Sequence, residues 1–131
     1  MDKNMNTRKT GAELIAIERQ RQINEEGWTP NHDKYLIDHE LAFAAICYAD
    51  PNKRLIKRRE GDDGTGHRST YLENGPEGPG EYIVMPPTLW PWALSQWKPT
   101  PDDRIRELTK AGALIAAEID RLTELEVKTK E

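Results

Sequence analysis

The stretch from Glu18 to Asp33, ERQRQINEEGWTPNHD, limits the fold more than any other part of the chain. It reads as a charged helix halted at Gly27, because glycine takes the left-handed conformation that closes a helix C-terminus without strain. Trp28-Thr29-Pro30 then leaves in extended geometry, since the residue before a proline avoids the helical region, and Asn31-His32-Asp33 reads as a turn. One helix end thus delivers a tryptophan, a histidine and an aspartate into a short segment.

Thr10 and Glu13 have capping-box spacing, so this first helix should run from about Gly11 to Glu26. Ala12, Ile15, Ala16 and Ile23 share one face at helical spacing, with Arg19 in its middle. Two readings of Arg19 follow. Its methylenes lie on the core while its head pairs with a carboxylate such as Glu40 or Asp120, or its planar fork faces a phosphate or carboxylate in a pocket.

A second helix is predicted from about Asp38, as N-cap, to Tyr48. Leu41, Ala42, Ala44, Ala45, Ile46, Cys47 and Ala49 make it apolar on most sides, hence central, with the Tyr48 hydroxyl reaching a polar neighbour. For the last helix, Thr100 is the expected cap, Pro101 the first residue and Asp103 the capping-box partner. Ile105, Leu108, Gly112, Ile115, Ile119 and Leu122 recur at spacings of three and four and read as its core stripe. Gly112 would admit the alanine-rich helix closely. Ala111, Ala113, Leu114, Ala116 and Ala117 widen the apolar surface, so this helix is flanked on two sides or forms a homo-oligomer interface.

Residues 50–87 differ in character. The basic run Lys53, Arg54, Lys57, Arg58 and Arg59 precedes glycine and proline clusters that break any helix. Extended pieces around Arg54 to Arg58, Ser69 to Leu72 and Tyr82 to Met85 have the makings of a small antiparallel sheet or hairpin. Beyond them, Trp90, Trp92 and Trp97 fall within eight positions of a proline-rich stretch, where indoles either staple a loop to the core or wall a cavity. The expected fold is mainly α: three principal helices with an irregular, hairpin-bearing insertion between the second and the third. Residues 1–131 form one domain, with a flexible N-terminus at 1–10 and a frayed tail at 125–131.

A net charge of −4 argues against general nucleic-acid binding, which needs a positive field. The lone Cys47 excludes an intrachain disulfide framework and reads as a buried small hydrophobe. No apolar run is long enough to span a bilayer and no secretory leader is visible, so the expected setting is the cytoplasm.

Gly27 and Trp28 after the first helix, Asp33 and Lys34 in the turn, His39 before Leu41, and Leu108, Ala111 and Gly112 in the last helix together resemble the ryanodine-receptor repeat (RyR) domain. That module is small, mainly helical, and found in calcium-release channels and in bacterial and phage proteins. Glu40 stands where the family has a proline, the first-helix tryptophan is missing, and residues 50–87 would be an insertion. The Trp90-Pro91-Trp92 and Trp97-Lys98-Pro99 segment also resembles small bacteriophage and prophage proteins. The resemblance implies a sensor or sponge for a nucleotide-derived signal, as in phage anti-defence, within the host cytoplasm.

Chemistry leads toward a similar expectation by its own route. A nucleotide-like ligand needs a flat apolar wall and fixed cations. Trp28, Trp90, Trp92, Trp97 and Tyr48 are candidates for the wall, Arg19, Lys98, Arg104 and Lys110 for the charge, and His32 and Asp33 for hydroxyls or base edges. No catalytic residue, metal or cofactor is expected. One alternative is a magnesium-dependent all-α nucleotide pyrophosphohydrolase, although no predicted helix carries the Glu-x-x-Glu spacing such an enzyme uses. Another is a host-protein interaction module that uses the 50–87 loop.

Overall fold

Four helices and a three-stranded antiparallel sheet make up the described residues, 8–59 and 69–130, of the computed structural model. The chain is therefore mixed α and β, which overturns the expected mainly α architecture of three helices and an irregular insertion. The three extended pieces pair as an antiparallel sheet, with a break in register between Leu72 and Gly75, because they carry β-branched and aromatic residues that pack well on a pleated surface. Parts of the expected flexible N-terminus, of the glycine-rich insertion (including His67) and of the tail lie outside the described residues.

Helix α1 spans Gly11–Glu26. Its bounds follow from local chemistry: Glu13 N–H donates to Thr10 Oγ1 at 3.2 Å, Thr10 N–H donates back to Glu13 Oε1 at 3.1 Å, and Gly27 closes the helix at φ 75°. The expected apolar burial of this helix is corrected. Ala12 and Ala16 are exposed, Ile15 and Ile23 are half-buried, and the buried side chains are Glu18 and Gln22. Glu18 is held by Arg21 of the same helix and by Arg106 of another, and Gln22 donates to Glu18, so the two side chains are buried together.

Thr29 caps the short helix α2, Pro30–Asp33, by accepting from His32 N–H at 3.1 Å. Helix α3 spans Glu40–Ala49. Asp38 is not its cap, since the preceding residue is His39, held at φ 65° with no side-chain capping bond. Helix α4 runs over Arg104–Lys130, through the stretch expected to fray. Its N-terminal cap is Asp103, whose Oδ1 accepts from Arg106 N–H at 3.0 Å, and not Thr100. Thr100 instead donates its backbone N–H to Glu107 Oε2 at 3.0 Å.

Leu41, Ala44, Ala45, Cys47 and Tyr48 of α3 pack on Ala111, Leu114 and Ala117 of α4, with Trp97 in the same core. The expected α4 core stripe is corrected with it: Ile105, Leu108, Ile115, Ile119 and Leu122 lie outside, between 43% and 69% exposed. Gly112 does admit a close neighbour, but that neighbour is α1, because a Cβ at 112 would lie 2.4 Å from Ile15 Cδ1.

The sheet has the order β1-β3-β2, with β1 Arg54–Lys57, β2 Ser69–Gly75 and β3 Gly78–Met85. Leu55 pairs with Val84 and Thr70 with Tyr82. Tyr82 locks the β2–β3 turn: its hydroxyl accepts from Glu77 N–H at 2.8 Å and donates to Gly78 O at 2.6 Å, while its ring occupies the space a side chain at Gly75 would need. Trp97 ties sheet to helices by donating its indole N–H to Val84 O at 2.9 Å.

Candidate functional site

A cavity of about 390 Å³ opens between α1, Tyr48 at the end of α3, the Gln96–Thr100 segment and the N-terminal half of α4. Helical spacing builds two of its walls. Glu18, Arg21, Gln22 and Glu26 come to one side of α1, and Arg106, Lys110 and Leu114 recur every four residues on α4. The volume is in the range of small-molecule sites.

Glu18 is the centre of the charged wall, with 1% of its surface exposed. Arg21 grips its carboxylate through Nε at 2.8 Å and Nη2 at 2.9 Å, a two-pronged geometry suited to a planar guanidinium. Arg106 Nη1 approaches the same carboxylate at 2.6 Å. Burial pushes the Glu18 pKa upward, but hydrogen bonds from Arg21 and Arg106 outweigh it and hold the group below the usual carboxylate range. The same pairing raises Arg21, which stays charged.

Gln22 Nε2 also donates to Glu18, at 3.1 Å, and this fixes the amide orientation. Gln22 Oε1 is then a buried acceptor without a hydrogen-bond partner, and Thr100 Oγ1, from the facing segment, is another. Lys110 is bound to backbone, its Nζ donating to Lys98 O at 2.6 Å and standing 5.3 Å from the centre of the Tyr48 ring. Burial first, and the neighbouring Arg106 second, bring its pKa down from 10.5 to about 8. Four cationic side chains, Arg21, Lys98, Arg106 and Lys110, face two carboxylates, Glu18 and Glu26. The wall is therefore locally positive on an acidic chain.

The four tryptophans and Tyr48 form one chain of rings. Trp28 meets Trp92 at 5.6 Å between ring centres, Trp92 meets Trp90 at 5.4 Å, Trp90 meets Trp97 at 4.9 Å, and Trp97 stacks on Tyr48 at 4.8 Å. Only Trp28 and Tyr48 reach the cavity wall. Trp90, Trp92 and Trp97 line neither cavity and serve as the staple. Tyr48 is also fixed at its far end, accepting from Lys98 N–H at 3.1 Å, and burial raises its pKa to about 12.

Of the residues expected at a site, Trp28, Tyr48, Lys98 and Lys110 come together. Arg19 lies elsewhere, donating to Trp28 O at 3.0 Å and to the buried Asp33 at 3.2 Å, with Asp120 at 3.9 Å. His32 contacts the other Asp33 oxygen through Nδ1 at 2.9 Å. Arg104 donates to the carbonyls of Tyr48 and Ala49, and Lys53 to those of Tyr48 and Asp50, so both cap the C-terminus of α3. Glu18, Arg21, Gln22 and Arg106 were not foreseen. In sequence they resemble solvated helix-surface charges, and only Glu18 and Gln22 at i,i+4 hinted at a shared polar face.

A second, larger cavity, about 710 Å³, runs between α2 and the C-terminal half of α4. Arg19, Lys34, Arg121 and Lys128 alternate there with Asp33, Asp120 and Glu124, and no aromatic ring lines it. The smaller cavity has the chemistry of a site, with one sign of charge in excess beside flat rings. Among the described residues no group of three His, Cys, Asp or Glu side chains is arranged to hold a metal ion. Cys47 is buried, and burial raises its thiol pKa to about 11. No helix among the described residues is long and apolar enough to cross a membrane. No protein-family model, curated protein or solved structure matches the chain.

Proposed function

We propose that the chain is a non-catalytic binding protein for a small anionic ligand with a planar group, in the class of nucleotides and nucleotide-derived signals. One observation carries the proposal. Trp28 and Tyr48 stand at the wall of a 390 Å³ cavity that also presents Arg21, Lys98, Arg106 and Lys110. A phosphate gains charge-assisted hydrogen bonds from guanidinium and ammonium groups, while a base gains a flat apolar surface. The unpartnered Gln22 Oε1 and Thr100 Oγ1 support the same reading. A buried polar atom left unpaired costs about 1–3 kcal/mol, and a small local shift toward an occupant with donor groups would recover part of it.

Capture without turnover, as in a sponge or sensor, is the biological role that fits such a site. Calorimetric titration of the full chain with cyclic nucleotides, nucleoside mono- and diphosphates and ADP-ribose derivatives tests it. A nucleotide should bind at micromolar concentration, its parent nucleoside at least tenfold more weakly, and the Arg106→Met variant should lose the difference. Absence of heat across the whole panel would overturn the proposal. Release of pyrophosphate from nucleoside triphosphates in the presence of magnesium would replace it with the hydrolase alternative.

A further inference from the structure

Five large aliphatic side chains of α4, Ile105, Leu108, Ile115, Ile119 and Leu122, are exposed on one helix. With Gly112 they follow spacings of 3, 4, 3, 4 and 3 residues, the seam of a two-stranded coil. The gap at Gly112 is filled, because Ile15 of α1 occupies the space its side chain would take. The seam therefore lies on two helices of the same chain, and no charged residue occupies any of its positions.

We infer that this seam is the contact surface for a second copy of the chain, with the two α4 helices antiparallel. The spacing reads the same in both directions. Turning one helix over sets Ile105 against Leu122 of the second copy, Leu108 against Ile119, and the Gly112 layer, capped by Ile15, against Ile115. Such a surface is complementary to itself about a two-fold axis, as an isologous dimer requires.

The helix dipoles select the same direction. Antiparallel helices oppose the two dipoles, whereas parallel helices would place like ends side by side. At 1.5 Å per residue the seam is about 26 Å long, and at a helix width of about 10 Å it offers roughly 300 Å² per copy. Stable interfaces bury about 800 Å² per partner. The dimer is accordingly weak and governed by concentration.

Sedimentation velocity of the full chain from about 5 to 500 μM tests the inference. The average mass should climb toward two chains with concentration, while Ile115→Lys and Ile119→Lys stay monomeric with unchanged circular dichroism and Tm. Single-cysteine variants fix the direction, since the native Cys47 is buried. Ile105→Cys mixed with Leu122→Cys should form an intermolecular disulfide, and Ile105→Cys alone should not. A chain monomeric at every concentration, or a dimer indifferent to both lysines, overturns the inference. Cross-linking of Ile105→Cys to itself overturns the antiparallel arrangement.

Discussion

Arg106 approaches Glu18 to 2.6 Å across the α1–α4 junction, and only 1% of the carboxylate side chain is exposed. Arg21 and Gln22 share that carboxylate, so removing it takes the partner from Arg106 and from the Gln22 amide, while Arg21 keeps Glu25 and Glu26. Removing one partner of a buried ion pair costs about 3–5 kcal/mol. Glu18→Ala should lose less than that, about 1–3 kcal/mol in urea unfolding, because water reaches both guanidinium groups left behind, and Arg106→Met should lose a similar amount less the share that Arg21 retains. A loss under 1 kcal/mol for Glu18→Ala would mean that the pair is solvated in solution.

Lys110 gives a pH signature of defined sign. Its pKa is lowered from 10.5 to about 8 in the folded chain, so between those values the unfolded state holds more protons and stability rises with pH. Cys47 and Tyr48 are shifted upward, to about 11 and about 12, and their contributions fall with pH over 9–11 and 10–12. The stability of wild type minus that of Lys110→Met isolates the lysine. That difference should be flat below pH 7.5 and climb from 8 to 10.5. Affinity for an anionic ligand should fall over the pH range where the lysine loses its proton.

How far these features can be read from the sequence depends on whether the determining contact is local. Thr10, Glu13 and Gly27 set the ends of α1 by bonds within a few residues, and those bounds were legible. The α4 seam was legible as an apolar face, but periodicity says nothing of what covers it. The other face is buried because Glu107 meets Lys53 at 3.2 Å and Lys110 meets Lys98 O, partners that position in the chain does not reveal. Trp28, Tyr48, Lys98 and Lys110 stood out by residue type. Glu18, Arg21 and Arg106 did not, since an isolated helix would show them as surface charges. The strands were legible as extended pieces, while their full pairing depended on registers such as Leu55 with Val84.

Position 112 tests the crossing of α1 and α4. A Cβ there would lie 2.4 Å from Ile15 Cδ1, a distance no relaxed side chain tolerates. Gly112→Val should destabilise by about 1–3 kcal/mol through overpacking. The double variant with Ile15→Ala should recover part of the loss, measured by thermal unfolding. Equal losses in the single and double variants would locate the cost in the α4 backbone instead.

The sheet turn depends on one hydroxyl. Tyr82→Phe keeps the ring over Gly75 but leaves Glu77 N–H and Gly78 O without their partner. A loss of about 1–3 kcal/mol follows from leaving such groups unpaired. Faster amide exchange at Glu77 should accompany it, with exchange in α3 unchanged. Protection at Glu77 equal to wild type would show that water replaces the hydroxyl without loss.

The unbroken file of rings from Trp28 to Tyr48 includes every indole in the protein, each within 5.6 Å of the next. At such separations electronic transitions couple, so the near-ultraviolet dichroism should be that of a joint chromophore and not a sum of isolated ones. Emitted light will come from whichever member lies lowest in energy, whatever ring absorbed the photon. With both ends of the file at the cavity rim, an incoming molecule meets the joint chromophore at Trp28 and Tyr48. The chain therefore carries an intrinsic reporter, and no dye need be attached to see its cavity fill.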